Sequence, residues 1–516
     1  MLSLVALAVL CADPVVIEGN VPDDASEFFT VPFTVTAGTT EIEIRHDDLS
    51  SSNILDWGLF TPDGGFVGWG GGNSEPAIVG PLASSRSYAL SQLTPGTWNV
   101  LVGKALVTQK PAKYRLEIES RSTATLAPQQ RSAWTPVTLS AGPRFYAGDL
   151  HVHSTQSGDA RATLDEISAL ASNRGLDFVA LSEHNTLTTL EFLNDAQARA
   201  PTVLLVPSVE FTTYAGHLNA FGATRLPPFW FGVSDQTLAD AVSDFAAQGA
   251  VPTVNHPTLD LGTFCIGCAW EHGAVEGLAA VEVGVGGWDE TGSLFDESAL
   301  AFWEAQASRG VHLTAVGGSD DHRAGVGRNQ TQSELGSPTT MIFADELSVA
   351  ALTRGLLDGR TVVKLRGPDD PMIELALPTT IARDRDTYLA EEVSVSARVT
   401  RGVGHSLVWI ENGVDVRTEK IDADPFQSGE FVLKAPSGNT ARVRAEVRVD
   451  QQPRTVTSFV WVGASRALPP AVAAKRASCS SSPAVLSILL LVLFARRKWL
   501  LPHPNPSPRG RGEPLR

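Results

Sequence analysis

The sequence predicts an α/β domain, built as a parallel barrel or sheet, between two small β-sandwich domains. Three observations carry this expectation. Across residues 144–366 short apolar runs alternate with helix-period segments, the order that builds parallel strands with crossover helices. On either side, at 14–121 and 367–463, apolar and polar residues alternate between Pro- and Gly-rich turns, the period of strands with one wet face. The 516 residues, 43% of them hydrophobic, suffice for about three domains at ~100–200 residues each.

Taken in order, 1–12 (MLSLVALAVLCA) is an apolar run with the character of a signal segment, although no Lys or Arg precedes it. Alternation marks strands in Glu41–Arg45, Thr97–Val102 and Tyr114–Glu119, with turn clusters TPDGG at 61–65 and TPG at 94–96. Residues 122–143, rich in Ser, Thr, Ala, Pro and Gln, read as a linker. Within 144–366, helices are expected over Thr163–Arg174, Ser234–Gln248 and Phe295–Arg309, stopped by Gly175, Gly249 and Gly310. The second β region carries Val393–Val399, Ala441–Val449 and Phe459–Val462, and an Ala/Pro/Ser stalk follows at 464–482. In 483–498 the uncharged run Ala484–Ala495 precedes Arg496, Arg497 and Lys498. That run is shorter than the ~17–25 residues of a membrane helix. Small residues, apolar run and basic cluster in this order resemble a signal cut by a sorting protease, with a weak tail anchor as the alternative. The tail at 499–516 receives no function. The two ends together predict export.

A net charge of −17, with no basic patch before the C-terminus, argues against duplex nucleic acid as a partner. The four cysteines (Cys11, Cys265, Cys268, Cys479) are too few for a disulfide scaffold. Cys265 and Cys268 read as a loop-closing disulfide; the alternative is a separate Zn site of the two thiolates with nearby His272, without an evident fourth ligand.

Eight of the eleven histidines lie between 151 and 322, most of them at the ends of apolar runs. The runs are FYAGDLHVH (145–153), LDFVALSEH (176–184), TVLLVPSVEF (202–211) with His217 after it, AVPTVNH (250–256), LAAVE (278–282) and VHLTAVGGSDDH (311–322). In a parallel barrel the C-terminal strand ends converge on one face. His151 and His153, like Asp320 and His322, are two apart, so each pair points to one side. Glu210 has two oxygens and can bridge two ions. Buried histidines and carboxylates cost several kcal/mol unless paired or liganded, and this donor set suits Zn, Mn or Fe. His312, inside its run, reads as a buried core residue. Glu282 either supports a ligand or faces substrate. Phe229–Phe231, Phe264, Trp270 and Trp288 are candidates for an apolar pocket.

GDLHVHSTQSGD (148–159), LSEHN (181–185), VEFTTYAGHLNAFG (209–222), NHP (255–257) and GSDDH (318–322), in this order, resemble the PHP (polymerase and histidinol phosphatase) metal-dependent phosphoesterases. DWGLFTPDGG (56–65) and LTPGTW (93–98) resemble the N-terminal region of the CehA/McbA branch. The resemblance implies a distorted (β/α)7 barrel with two or three divalent ions. One ion would lie on His151, His153, Glu210 and Asp320. A second would share Glu210 and add His217 and His256. A third would take Asp159, His184 and His322. Glu183 stands where the family commonly has Asp. His151, His153, Glu210, Asp320 and His322 would carry catalysis, and Arg323 and Arg328, just after the last motif, could grip a phosphate. The implied activity is hydrolysis of a small phosphate ester by metal-activated hydroxide. A carboxylic or carbamic ester is the alternative substrate, since that branch includes carbamate hydrolases. A surface binding protein with an inactive barrel is the alternative of another class, and lost ligands would favour it.

Overall fold

The computed structural model describes residues 13–463, except 229, 231, 234, 286–291 and 326–332. The segments read as signal (1–12), stalk (464–482), sorting signal (483–498) and tail (499–516) therefore lie outside the described residues. Among the described residues no helix is long and apolar enough to cross a membrane. The fold is mixed α/β, with many strands and few helices.

The N-terminal part forms two four-stranded antiparallel sheets. One joins Val15–Asn20, Lys113–Arg121, Glu41–Asp47 and Ala77–Val79; the other joins Phe28–Val35, Gly96–Leu106, Ile54–Phe60 and Phe66–Gly71. Alternate residues of both, among them Val31, Phe33, Ile42, Ile44, Trp57 and Trp98, make one shared core. Glu41 and Glu43, expected on a wet face, are buried instead, because Arg121 pairs with both carboxylates.

The middle part is one curled, mixed sheet. Its order is Thr314–Gly317, Ala280–Gly284, Val251–Val254, Gly216–Phe221, Leu204–Thr213, Phe178–His184, Thr138–Val152, Thr339–Ser348 and Thr361–Lys364. The pairs that join Thr138–Val152 to Phe178–His184 to Leu204–Thr213 are parallel, as are those from Val251–Val254 through Ala280–Gly284 to Thr314–Gly317. Gly216–Phe221 departs from strict strand–helix alternation. A tight turn at Tyr214–Ala215 returns it antiparallel to Leu204–Thr213, and it pairs antiparallel with Val251–Val254 as well. The curl brings the segment after Thr314–Gly317 back to Thr138–Val152: Asp320 N donates to His151 O at 2.9 Å and His153 N to Asp321 O at 3.0 Å.

Helices cover this sheet through apolar faces such as Ile167 and Ala171, or Ala241, Val242 and Phe245. Thr163 and Glu166 form a capping box that starts Leu164–Asn173, and Gly175 beyond its end has φ +71°. The helix expected from Ser234 is Leu238–Ala247, since its capping box is Thr237 with Asp240. Thr138–Val152 begins inside the segment read as a linker, because its first half pairs with Thr339–Ser348.

The C-terminal part has its own core of Val393, Val395, Ala397, Leu407, Trp409, Val443 and Val447. It is nevertheless joined to the middle sheet: Thr361–Lys364 pairs antiparallel with Gln452–Thr457, so strands run on across residue 366 without a break. Ala441–Val449, expected to keep a wet face, buries Arg442 and Arg444. Both guanidinium groups reach Glu304 on the helix Gly292–Ala307, which neutralises them. His312 is buried, 3.1 Å from Asp386 and stacked on Trp461.

Candidate metal centre

His151 is the penultimate residue of Thr138–Val152 and Glu210 lies in the last half of Leu204–Thr213, both buried; His153 follows the first of these strands directly, and Asp320 and His322 lie three and five residues past Thr314–Gly317. Four atoms meet at the centre. His151 Nε2 and His153 Nε2 are 3.1 Å apart. Asp320 Oδ1 lies 3.3 and 3.0 Å from them, and Glu210 Oε2 lies 3.4 and 3.5 Å away. His151 Nδ1 is 2.9 Å from Glu282 Oε1 and donates to that carboxylate, so in the neutral imidazole the Nε2 lone pair faces His153. Glu210 Oε2 is buried among imidazole nitrogens, none of which is aligned to donate a hydrogen bond to it. Two imidazole nitrogens turned on each other beside an unsatisfied carboxylate oxygen form a site that fits a cation.

Glu210 Oε1 faces a second group, at 3.0 Å from His217 Nδ1 and 3.2 Å from His256 Nε2. Their other ring nitrogens face main-chain carbonyls of one turn: His217 Nε2 is 3.3 Å from Ile266 O, and His256 Nδ1 is 2.9 Å from Cys268 O. This turn is closed by the Cys265–Cys268 disulfide. His272 Nε2 instead lies 2.6 Å from Thr213 Oγ1.

The third group is more open. Asp159 Oδ2 is 3.2 Å from both His184 Nε2 and His322 Nε2, and its side chain is 53% exposed. His184 Nδ1 reaches Glu210 Oε2 at 2.9 Å, so Glu210 touches every group. The His153 ring stacks on His184 and His322, with centroids 4.5 and 4.1 Å away.

The electrostatics follow from this crowding. Burial disfavours a charged His151, yet Glu210, Asp320 and Glu282 raise its pKa well above the ordinary value. Burial and the neighbouring His322 and His184 push His153 down to about 3. Burial opposes ionisation of Glu210 and Asp320, but the surrounding histidines hold both below the usual carboxylate range. His322, despite burial, is raised to about 9 by Asp159 and Asp320. His256 and Asp320 have φ of +24° and +56°, a positive-φ backbone uncommon outside glycine, though Asp and His enter it more readily than most, and costing about 1–3 kcal/mol.

Other residues support the ligands, and among them Asp149, Asn255 and Arg86 carry no clear signal in sequence. Asp149 accepts from the backbone N–H groups of His151, Ser319 and Gly336, and so ties two motif segments together. Asn255 donates to Glu210 Oε1 at 2.9 Å. Glu282 bonds His151 through one oxygen and accepts from His256 N at 2.7 Å through the other. Glu183 accepts from Ser154 N, Ser154 Oγ and Thr189 Oγ1, so donors outside the cluster occupy both of its oxygens. The Asp159 loop is gripped by the turn at Arg86 and Ser87 of the N-terminal part. Arg86 Nη1 donates to Ser157 O at 3.3 Å and Ala160 O at 2.8 Å, and Ser87 Oγ donates to Gln156 O at 2.8 Å.

Arg323 directly follows His322, and its N–H bonds Asp321 Oδ1. Arg328 lies outside the described residues, as do Phe229, Phe231 and Trp288. Trp230, offered above for a substrate pocket, is buried against Trp69 and Phe66 of the N-terminal sheets instead.

No protein-family model and no curated protein matches the sequence. Among solved structures, the chain is similar to a two-domain protein of Bacteroides vulgatus containing a predicted PHP-like metal-dependent phosphoesterase. Identity is 19%, with 64% of this chain and 100% of that one covered, at a TM-score of 0.35. It is also similar to a Bifidobacterium adolescentis protein assigned, though not demonstrated, as a metal-dependent phosphoesterase (14% identity, 36% and 91% covered, TM-score 0.25). A third is an amidohydrolase from Chromobacterium violaceum with bound sulfate and no metal (16%, 34% and 88%, TM-score 0.24). These likenesses are distant, and the residues themselves carry the functional reading.

Proposed function

We propose that the protein is an exported, metal-dependent hydrolase of small phosphate esters, with a PHP-type barrel over residues 144–366 between two β-sandwiches. One observation carries the reading: eight side chains able to ligate a metal, from separated segments, converge around Glu210, whose buried Oε2 has no aligned hydrogen-bond donor. His151, His153, Glu210 and Asp320 would hold one ion; Glu210, His217 and His256 a second; Asp159, His184 and His322 a third. Divalent ions bound there, as Zn, Mn or Fe, would make hydroxide available near neutral pH by lowering the pKa of water to about 7. Glu282 fixes the His151 tautomer, and the Ile266 and Cys268 carbonyls do the same for His217 and His256. Arg323 and Arg328 are the proposed partners of the ester's phosphoryl oxygens. The test is elemental analysis of the purified chain with assays on phosphomonoesters, phosphodiesters and carboxylic esters, before and after chelation. Two or three ions per chain and phosphatase activity lost on chelation are expected. Undiminished activity with less than one ion would overturn the reading, and turnover of carboxylic or carbamic esters alone would move the substrate class.

A further inference from the structure

We propose that Cys268 is a redox-gated metal ligand: when the Cys265–Cys268 disulfide is opened, its thiolate captures a divalent ion together with His217 and His256. The inference rests on the metal-centre reading and adds a sulfur donor and a switch to it.

The ligand atoms of Cys268, His217 and His256 lie within 4.8 Å of one another, and all three residues are buried. The chain around Cys268 is held by contacts other than the disulfide. Gly267, at φ +77°, packs so closely that a Cβ there would stand 2.3 Å from Thr213 O. Beyond the turn, Trp270 N donates to Pro257 O at 2.9 Å and Glu271 N to Ala215 O at 2.7 Å. The Cys268 sulfur therefore stays beside the two histidines once the bond is broken. In the oxidised chain both histidines also stand beside Glu210 Oε1, and the sulfur has no anionic form to offer.

Exposure sets the direction of opening. Cys268 is 1% exposed, whereas Cys265 is only partly buried, so an incoming thiolate meets the Cys265 sulfur. With a dithiol as reductant, one of its sulfurs attacks Cys265, the S–S bond breaks, and Cys268 leaves as a thiolate at the histidines. The second dithiol sulfur then attacks the mixed disulfide and releases Cys265. Two electrons come from the dithiol, which departs as a cyclic disulfide. Of its two protons, one ends on the Cys265 sulfur and one goes to solvent, because Cys268 remains a thiolate on the ion. Two imidazoles and a thiolate favour Zn²⁺ over harder ions. Reduction thus draws His217 and His256 away from Glu210, retains a thiophilic ion and lowers hydrolysis.

The experiment loads the full chain with Co²⁺ after oxidation, or after dithiothreitol treatment and anaerobic removal of the reagent. Sulfur-to-cobalt charge-transfer absorption in the near ultraviolet is expected in the reduced protein and absent from the oxidised one. Cys265→Ser should show the band without reductant, and Cys268→Ser should lack it in either state. Cobalt bound to reduced protein and to Cys265→Ser with no sulfur band overturns the switch while leaving the metal centre standing. No cobalt bound in any form overturns both.

Discussion

Glu282→Gln is the substitution with the sharpest expected consequence. The carboxylate is 1% exposed and makes two bonds, Oε1 to His151 Nδ1 at 2.9 Å and Oε2 from His256 N at 2.7 Å. Glutamine has the same shape but only one acceptor, so one of the two bonds is lost along with the negative charge behind His151. A hydrogen bond to a charged group contributes about 1.5–3 kcal/mol, and ~1.4 kcal/mol is tenfold in an equilibrium. Metal affinity should therefore fall about 10- to 100-fold, the range also seen when such carboxylate supports are removed. Competition with a chelator of known affinity measures the loss, and turnover at saturating metal should return to within a few-fold of the parent. Unchanged affinity would refute a supporting role. Lost turnover that excess metal cannot restore would instead place Glu282 against the substrate.

Three further outcomes are expected. In Gly318→Ala the new Cβ would stand 2.3 Å from His151 Cβ and 2.7 Å from Glu282 Oε1, so thermal unfolding should show ~1–3 kcal/mol of destabilisation with reduced metal content; a full complement of metal at parental stability contradicts this. Arg86→Ala removes both guanidinium bonds to the Asp159 loop and should weaken one ion of the set about tenfold, read by titration with Mn²⁺, with Arg86→Lys partly restoring it; equal binding of all ions means the loop positions itself. Burial raises Asp296 to about 7 although Arg366 opposes the shift, so the folded chain keeps a proton that the unfolded chain releases near pH 4. Stability from this group is present below pH ~4 and lost as pH rises to about 7, and denaturation midpoints of Asp296→Asn should lose that part of the slope.

What sequence made legible is the set of strand ends, because an apolar run that stops at His, Glu or Asp is visible without a partner. The supports are not visible in that way. Asp149 and Asn255 act on backbone and side-chain groups of other segments, and Arg86 reaches the Asp159 loop from a turn of the N-terminal part. Nothing local to any of them marks the role. Ala441–Val449 shows the alternation of a strand, but the covering of its polar face depends on Glu304, far away on a helix. The start of Leu238–Ala247 was readable after all: Thr237 and Asp240 have capping-box spacing. The strand at Thr138 was not, since its partner lies at Thr339–Ser348.

The unbroken sheet across residue 366 has a consequence for how the chain is made. Synthesis proceeds from the N-terminus, and the last proposed ligand, His322, is complete before the strands that close the sheet exist. Until Gln452–Thr457 is available, Thr361–Lys364 presents a bare row of backbone donors and acceptors, with Val362 and Val363 beside them. Such an edge is a template for another chain. A protein cut after Arg366 would keep every proposed ligand and still fail, by joining its open edge to a second copy. Its defect would be measured as a change in size before it was measured as a loss of chemistry.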